Sequence, residues 1–402
     1  MKILLVTDIP PCANFTAGLV LDRLVSFLPP GSLALCAVVN PDLQPKLTPA
    51  LESVPKLLLV KPREASRRIA GGIAGDASAY LFERLQGLRV CHRLVPQIAD
   101  FARQQKVTSI WVVLQGQTMV RVAAQLAADL GLPLYTQVWD PFGWWLRANG
   151  IDGLTARRLL ARFDKAILAS EACATASAAM SAAYTEKYGI RNCPVIAGLP
   201  RELALAPATQ PHPGPEFIIA VAGQFYARTE WDCLIYALEA ARWTLGGRAI
   251  KVRVMGGGFQ AYTQSAAHFE YLGWRTQEET IRLLSEADLL YLPYWFSEEF
   301  REEASNSFPS KLVTYFAAGR PVFCHAPPYS SPATYLRSHR AAFLCESLDP
   351  PAVSQLLEQV IDDVEAYASV ARNGADCFTR DFTLERMRES FLEFLGGRDW
   401  QS

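Results

Sequence analysis

The sequence lacks paired cysteines, a strong net charge and any long apolar run. Its nine cysteines are scattered over 402 residues without a Cys-x-x-Cys pair, which favours reduced, buried thiols and argues against a zinc site. A net charge of −1 gives no electrostatic basis for a nucleic-acid partner. No apolar run approaches the roughly 18 residues of a membrane-spanning helix, and the first residues lack a signal-peptide pattern. We therefore expect a cytoplasmic protein that binds no nucleic acid.

The first half of the chain alternates short apolar runs with helical patterns. Continuous apolar strands of this kind predict a parallel sheet whose two faces are both covered by helices. The predicted strands are 2–7, 33–39, 56–60, 109–114, 133–139, 164–170 and 194–196. The predicted helices include 79–104, 118–130 and 171–188, and we expect His92, which lies among apolar residues of the first of these helices, to have a packing role.

The same alternation begins again after a segment rich in proline and alanine. Residues 199–216 lack apolar periodicity and predict a boundary between two α/β halves. We therefore predict a first domain at 1–200, a second at 201–382, and a terminal helix within 383–402 that packs back towards the first domain. Predicted strands of the second half are 217–222, 250–255, 269–272 and 288–292.

Residues 305–323 predict a loop, a short helix and a strand. Ser310 can cap the helix, and Gly319 is suited to end it in a left-handed conformation. Lys311 falls in the first turn, where a helix favours negative rather than positive charge. A lysine at this position is explained either as a surface side chain or as a partner for an anion such as a phosphate.

Three features of the first half leave alternatives open. Gly18 follows the first strand, where open α/β sheets bind ligands, but a tight turn explains it equally well. Residues 139–145 contain three tryptophans, which predict either an acceptor site or a packed lid. The arginines within 154–163 predict a membrane-facing basic helix or a solvated one.

Three segments of the second half resemble the nucleotide-sugar glycosyltransferases of the GT-B fold, in particular the retaining family 4 (group 1) enzymes. The first is Ala-Gly-Gln-Phe-Tyr-Ala-Arg at 222–228. The second is Tyr-Leu-Gly-Trp-Arg at 271–275 with Ala-Asp-Leu-Leu-Tyr-Leu-Pro at 287–293. The third is Asn-Ser-Phe-Pro-Ser-Lys-Leu at 306–312 with Ala-Gly-Arg-Pro-Val at 318–322. The resemblance extends over about 217–395 and is looser in the first half.

This resemblance implies two Rossmann-like, doubly wound parallel-sheet domains that face a central cleft. It implies transfer of a sugar, with retention, from a nucleotide-diphosphate donor to a glycan, lipid or small-molecule hydroxyl. Neither a cofactor nor a metal is expected, and the lipid alternative leaves a peripheral membrane contact open. The implied catalytic residues are Lys311, Arg228, Asn306 and Asp140. The implied donor-binding residues are Gly18, Gly223, Gly256, Gly257, Trp274, Arg275, Ser307, Ser310 and Thr314.

The sequence also departs from the family pattern. The family's two glutamates, eight positions apart, fall on Asn306 and Thr314, and a first-domain histidine falls on Trp139, beside Asp140. Threonine can offer the ribose one hydrogen bond but not a bidentate carboxylate. The sequence therefore also admits a nucleotide-binding or scaffold protein of the same fold that has lost turnover.

Overall fold

The computed structural model describes residues 1–64, 72–257 and 263–397. These residues form two compact units, one of the described residues up to 195 together with 388–397 and the other of the described residues within 196–387. Each unit is built on one sheet with helices between most successive strands, and the sheet is parallel in the first unit and mainly parallel in the second, which confirms the predicted α/β class.

The first unit has seven parallel strands in the order β3-β2-β1-β4-β5-β6-β7. The strands are β1 (Ile3–Thr7), β2 (Leu33–Val39), β3 (Lys56–Val60), β4 (Ser109–Val113), β5 (Leu134–Val138), β6 (Ala172–Thr175) and β7 (Arg191–Pro194). The helices are α1 (Thr16–Ser26), α2 (Gly72–Gln104), α3 (Gly116–Leu130), α4 (Phe142–Ala148), α5 (Gly153–Leu168) and α6 (Ala178–Tyr188). Central strands β1 and β4 are buried along their whole length, as expected for a sheet covered on both faces.

The second unit has six parallel strands in the order β11-β10-β8-β12-β13-β14, and β9 pairs with β10 in the antiparallel direction. The strands are β8 (Glu216–Ala222), β9 (Thr244–Leu245), β10 (Arg248–Met255), β11 (Phe269–Gly273), β12 (Leu289–Pro293), β13 (Val322–His325) and β14 (Phe343–Cys345). The helices are α7 (Arg228–Ala240), α8 (Gln277–Ser285), α9 (Arg301–Asn306), α10 (Lys311–Ala317), α11 (Ser331–His339), α12 (Pro350–Asp362) and α13 (Val364–Asp381), and α14 (Leu384–Phe394) follows.

The predicted strand at 164–170 is wrong, because α5 continues through most of it. Leu159, Phe163 and Ile167 are buried at intervals of four, which is the spacing of one helix face. The strand begins only at Ala172, and the predicted helix at 171–188 is shortened accordingly to α6. Ala-Ile-Leu at 166–168 is too short an apolar run to distinguish a buried strand from the end of a buried helix face.

One local prediction also differs from the structure. His92 is exposed rather than packed, because α2 turns this position away from the sheet. Residues of the predicted boundary segment pack within the second unit: Leu205 N–H donates to Ala317 O at 2.8 Å, and Ala208 N–H donates to Gly319 O at 2.8 Å. The nine cysteines are all buried and unbridged, as their scattered positions predict.

Candidate functional site

Three glycines in left-handed conformations lie at the carboxyl edge of the second sheet. They end three neighbouring strands: Gly223 after β8 (φ 96°), Gly256 after β10 (φ 120°) and Gly273 at the end of β11 (φ 66°). A Cβ on Gly256 would lie 2.3 Å from Gly223 O. Only glycine permits this approach of two strand ends at these φ values.

Lys311, the first residue of α10, lies beside the first of these glycines. Its Nζ donates to Gln224 O at 3.2 Å and lies 4.1 Å from the centre of the Tyr226 ring. The Cβ position of Gly223 is 3.6 Å from Lys311 Cε. The fold therefore brings together Lys311, Gly223 and Gly256, which are far apart in the sequence.

The surroundings of the Lys311 ammonium are mostly neutral. Among the described residues no carboxylate forms an ion pair with it, and its near contacts are a carbonyl and an aromatic face. The residue keeps some exposed surface, yet burial of the ammonium lowers the pKa of Lys311 to about 7. An anion bound here would restore its full charge.

Arg228 begins α7, immediately after the loop that carries Tyr226. Its Nε donates to both carboxylate oxygens of Asp232, at 2.9 and 3.0 Å, one turn along the helix. Its side chain is 58% exposed. Arg228 thus follows β8, the strand whose end lies beside Lys311. In the structure its guanidinium pairs with Asp232, a residue that the sequence analysis did not single out.

Two of the residues before α10 form backbone or side-chain hydrogen bonds within the second unit. Asn306 Nδ2 donates to Glu302 O at 2.7 Å, and the carbonyl of buried Ser307 accepts from the Tyr294 hydroxyl at 3.1 Å. Ser310 stands at the N-cap position, but its backbone is helical and its side chain makes no capping bond. The predicted cap is therefore wrong, because a capping side chain needs an extended backbone to reach back to the helix amides.

The candidate base- and ribose-binding residues lie at the surface. Thr314 Oγ1 accepts from Gln277 Nε2 at 3.0 Å. Trp274 is 85% exposed, and Arg275 Nη1 donates to the Trp274 carbonyl at 2.8 Å. A Cβ on Gly257 would meet no atom within 4 Å, and Gly258 lies outside the described residues.

In the first unit, Gly18 lies in the first turn of α1. Its Cβ position is 2.1 Å from Cys12 Sγ, and Gly18 O accepts from Cys12 N–H at 3.3 Å. This glycine lets the loop after β1 pack directly on α1. Asp140 lies between β5 and α4. The second half of the tryptophan-rich segment folds as α4, where Phe142 stacks on Trp145 at 5.9 Å between ring centres.

Sequence reasoning missed a buried charged cluster at the carboxyl edge of the first sheet. Lys61 Nζ lies 3.1 Å from Asp8 Oδ2 and 3.1 Å from Glu64 Oε2. Glu64 Oε1 accepts from Thr118 N–H, in the first turn of α3, at 2.7 Å. Burial raises the pKa of Asp8 despite the neighbouring Lys61 ammonium. Asp8 Oδ1 is buried without a hydrogen bond in the described structure. The one available signal was that Asp8 and Lys61 each directly follow a strand.

A second missed group lies beneath the edge of the second sheet. Buried Glu230 accepts from Phe296 N–H at 2.7 Å, and burial raises the pKa of its carboxyl. The Tyr291 hydroxyl lies 3.0 Å from Nδ1 of His325, whose Nε2 donates to Ser347 O at 2.7 Å. Burial lowers the pKa of His325 to about 4, so this histidine is neutral at physiological pH.

The described residues include no helix that combines the length and the apolar character needed to cross a bilayer. No group of three or more His, Cys, Asp or Glu side chains among them is arranged to hold a metal ion.

Comparison with solved structures identifies the fold. Anabaena HepE in complex with UDP superposes with a TM-score of 0.65 at 14% identity, covering 98% of this chain and 100% of HepE. Sucrose-phosphate synthase from Thermosynechococcus elongatus gives 0.66 at 12% identity, covering 100% of both chains. The UDP-forming α,α-trehalose-phosphate synthase of Burkholderia vietnamiensis gives 0.63 at 14% identity, covering 98% of this chain and 100% of that one.

Sequence comparison finds one family model that resembles part of the chain. No curated protein matches the chain at the sequence level. The family model described as "Glycosyl transferases group 1" matches residues 216–363, the region in which the three resembling segments lie. Residues 216–363 thus match the group 1 glycosyltransferase model, and they lie in a chain that has the GT-B fold of these solved structures.

Proposed function

We propose that this chain transfers a sugar from a nucleotide-diphosphate sugar to a hydroxyl acceptor. The observation that carries the proposal is the position of Lys311. Its ammonium lies beside Gly223 at the carboxyl edge of the second sheet, and it has no carboxylate partner among the described residues. A lysine that pairs with no acid and is partly buried is suited to receive a diphosphate.

The leaving group in such a transfer is a nucleoside diphosphate, whose negative charge grows as the glycosidic bond breaks. Cations already in place at that position stabilise the transition state. Lys311 would bind the diphosphate directly. Arg228 could contribute a second cation by exchanging its exposed ion pair with Asp232, which contributes little on its own at the surface.

Uridine is the first base to test. The HepE structures contain UDP or UDP-glucose, and the trehalose-phosphate synthase is described as UDP-forming. We propose that Trp274 and Arg275 border the base and that Thr314 contacts the ribose. The acceptor is a glycan, a lipid or a small molecule, with Asp140 on the acceptor side and Asn306 near the donor sugar, and the family resemblance favours retention of configuration.

The deciding experiment is calorimetric titration of the purified chain with UDP, GDP, ADP, CDP and dTDP. We expect one of the five to bind at micromolar strength and Lys311→Ala to abolish that binding. Lys251→Ala is the matched control, because Lys251 Nζ likewise donates to one backbone carbonyl, that of Ala267, at 3.1 Å. Unchanged affinity in a folded Lys311→Ala protein would show that the diphosphate binds elsewhere.

A second candidate is a nucleotide-binding protein without turnover. The observation that favours it concerns Thr314, which stands at the position of the family's ribose-binding glutamate. Its hydroxyl already accepts a hydrogen bond from Gln277. The two candidates differ in one measurement. Release of free sugar or of a glycosylated acceptor from a bound sugar nucleotide supports the enzyme, whereas tight binding without consumption of the donor supports the binding protein.

We propose that the transfer needs no resident metal. Lys311 and Arg228 together can balance the charge of the diphosphate, which is the task of a divalent cation in metal-dependent enzymes. Chelation with EDTA should leave nucleotide affinity unchanged. A loss of affinity that Mg²⁺ or Mn²⁺ restores would contradict this proposal.

A further inference from the structure

Helix α2 turns an apolar stripe towards solvent. Leu81, Leu85 and Leu88 are 59%, 57% and 55% exposed. At 100° per residue these three positions lie within a sector of about 60° on one side of the helix. A surface helix normally turns such a stripe towards the core, and α2 also buries a second apolar face that includes Leu94 and Ile98. The exposed stripe is therefore additional to the one that the fold requires.

The exposed positions of α2 between Ile73 and Gln97 are basic or neutral. They include Arg84, Arg89 and Arg93, and none of them is an aspartate or a glutamate. On the same helical projection, Arg84 and Arg89 lie on opposite sides of the leucines. The stripe is therefore flanked by positive charge.

A basic cavity lies on the Arg84 side of the stripe, between α2, α3 and α5. Its lining contains four arginines (Arg84, Arg121, Arg158 and Arg162) and a single acid, Glu83. A hydrogen bond from Arg158 and the nearby positive charges lower the pKa of Tyr80, another lining residue. The cavity is therefore electropositive.

The floor of this cavity is built around a buried arginine. Arg121 is 8% exposed, and its Nη2 donates to Glu83 at 3.1 Å and to Gln117 at 2.9 Å. A Cβ on Gly87 of α2 would lie 3.0 Å from Arg121 Nε, so a glycine here makes room for the guanidinium. In the described part of the chain, Nε and Nη1 of Arg121 donate no hydrogen bond. These donors can serve an anion.

We propose that this leucine–arginine face (Leu81, Leu85 and Leu88 with the four-arginine cavity) docks on an anionic phospholipid bilayer. The leucines enter the interfacial layer, and the arginines that line the cavity contact the phosphate of a lipid headgroup at its mouth. Interfacial binding requires these two components together, an apolar stripe and cations beside it.

The charge pattern favours a bilayer over a second copy of the chain. A twofold contact through the stripe would place the arginines of one copy close to those of the other, and the exposed α2 positions between Ile73 and Gln97 offer no acid to compensate. An anionic lipid surface complements both parts of the face.

The test is cosedimentation of the full chain with vesicles of phosphatidylcholine alone or mixed with phosphatidylglycerol. We expect binding only to the mixed vesicles, and we expect added salt to weaken it. Leu85→Gln should lower the partition coefficient about tenfold, since it removes one leucine that would be buried in the bilayer interface. Arg158→Gln should lower it about fivefold.

Two control variants match these changes elsewhere in the chain. Leu348→Gln removes another exposed leucine, and Arg372→Gln removes another exposed arginine, both in the second unit. Both should partition as the unchanged protein does. Equal binding to the two kinds of vesicle, or full binding by Leu85→Gln, would overturn the proposal. Self-association in solution that Leu85→Gln abolishes would assign the face to a second copy and would also overturn it.

Discussion

Lys311 should take up a proton when a nucleoside diphosphate binds beside Gly223. In the free protein, burial lowers the pKa of Lys311 to about 7, and its near contacts are the Gln224 carbonyl and the Tyr226 ring. A diphosphate in hydrogen-bond range favours the charged ammonium and should raise this pKa by about 2 units. Binding and protonation are then coupled.

The size of the effect follows from these two pKa values. At about pH 8 the free amine is about one-tenth protonated and the bound one about nine-tenths, so about 0.8 proton is taken up per nucleotide. At about pH 6 both states are mostly protonated, and the uptake falls to about 0.1 proton. Between these two pKa values the affinity should decrease about fivefold for each unit rise in pH.

The assay is calorimetry of UDP binding in two buffers that differ in ionisation enthalpy, repeated at both pH values. The terminal phosphate of UDP is fully ionised at about pH 8, since its last pKa lies near 6, so proton uptake there reports on the protein. Lys251→Met should behave as the unchanged protein. Absence of uptake at about pH 8, or a larger uptake at about pH 6, would refute the assignment of Lys311 as the diphosphate ligand.

Three further changes test the packing and the site. Gly256→Ala should lower the free energy of unfolding by about 2 kcal/mol, because the new Cβ would lie 2.3 Å from a carbonyl oxygen at a left-handed φ. Gly257→Ala, with open space at its Cβ position, should cost much less in the same denaturant titration. Lys61→Met should destabilise the first unit by about 3–5 kcal/mol, because it leaves two buried carboxylates without their cation, and a denaturation midpoint that does not move would contradict this. Thr314→Glu should tighten UDP binding about tenfold by offering the ribose a carboxylate, whereas Thr314→Gln should not; equal affinities would show that the ribose lies elsewhere.

Buried parallel strands were the part of the fold that the sequence specified most directly. The predicted bounds of β2 and β3 agree with the structure, and those of β1 and β4 differ by one residue. A strand buried on both faces is a continuous apolar run, so its ends coincide with a change of composition. The strand prediction at 164–170 was wrong because α5 ends there in an equally short apolar run. Such a run is too short to show whether its apolar residues repeat with the period of a helix or of a strand.

The candidate site was only partly accessible from the sequence. The resemblance drew attention to Lys311, Gly223 and Gly256, but the carbonyl that holds Lys311 belongs to Gln224, 87 positions away. The ion cluster of Asp8, Lys61 and Glu64 could not be assembled from the sequence, because Asp8 follows β1 whereas Lys61 and Glu64 follow β3. A sequence shows which residues follow strands, but not which strand ends meet at one edge of a sheet.

The amino-acid sequence by itself determined the α/β class, the repetition of that pattern in two halves and the resemblance of the second half to group 1 glycosyltransferases, because these depend on local composition and on short motifs. Only the tertiary structure decided which side of α2 is buried. Leu81 and Leu94 are equally hydrophobic, yet one is exposed and the other is covered. That difference, like the lowered pKa of Lys311, depends on what the rest of the chain places against each residue, which local sequence does not encode.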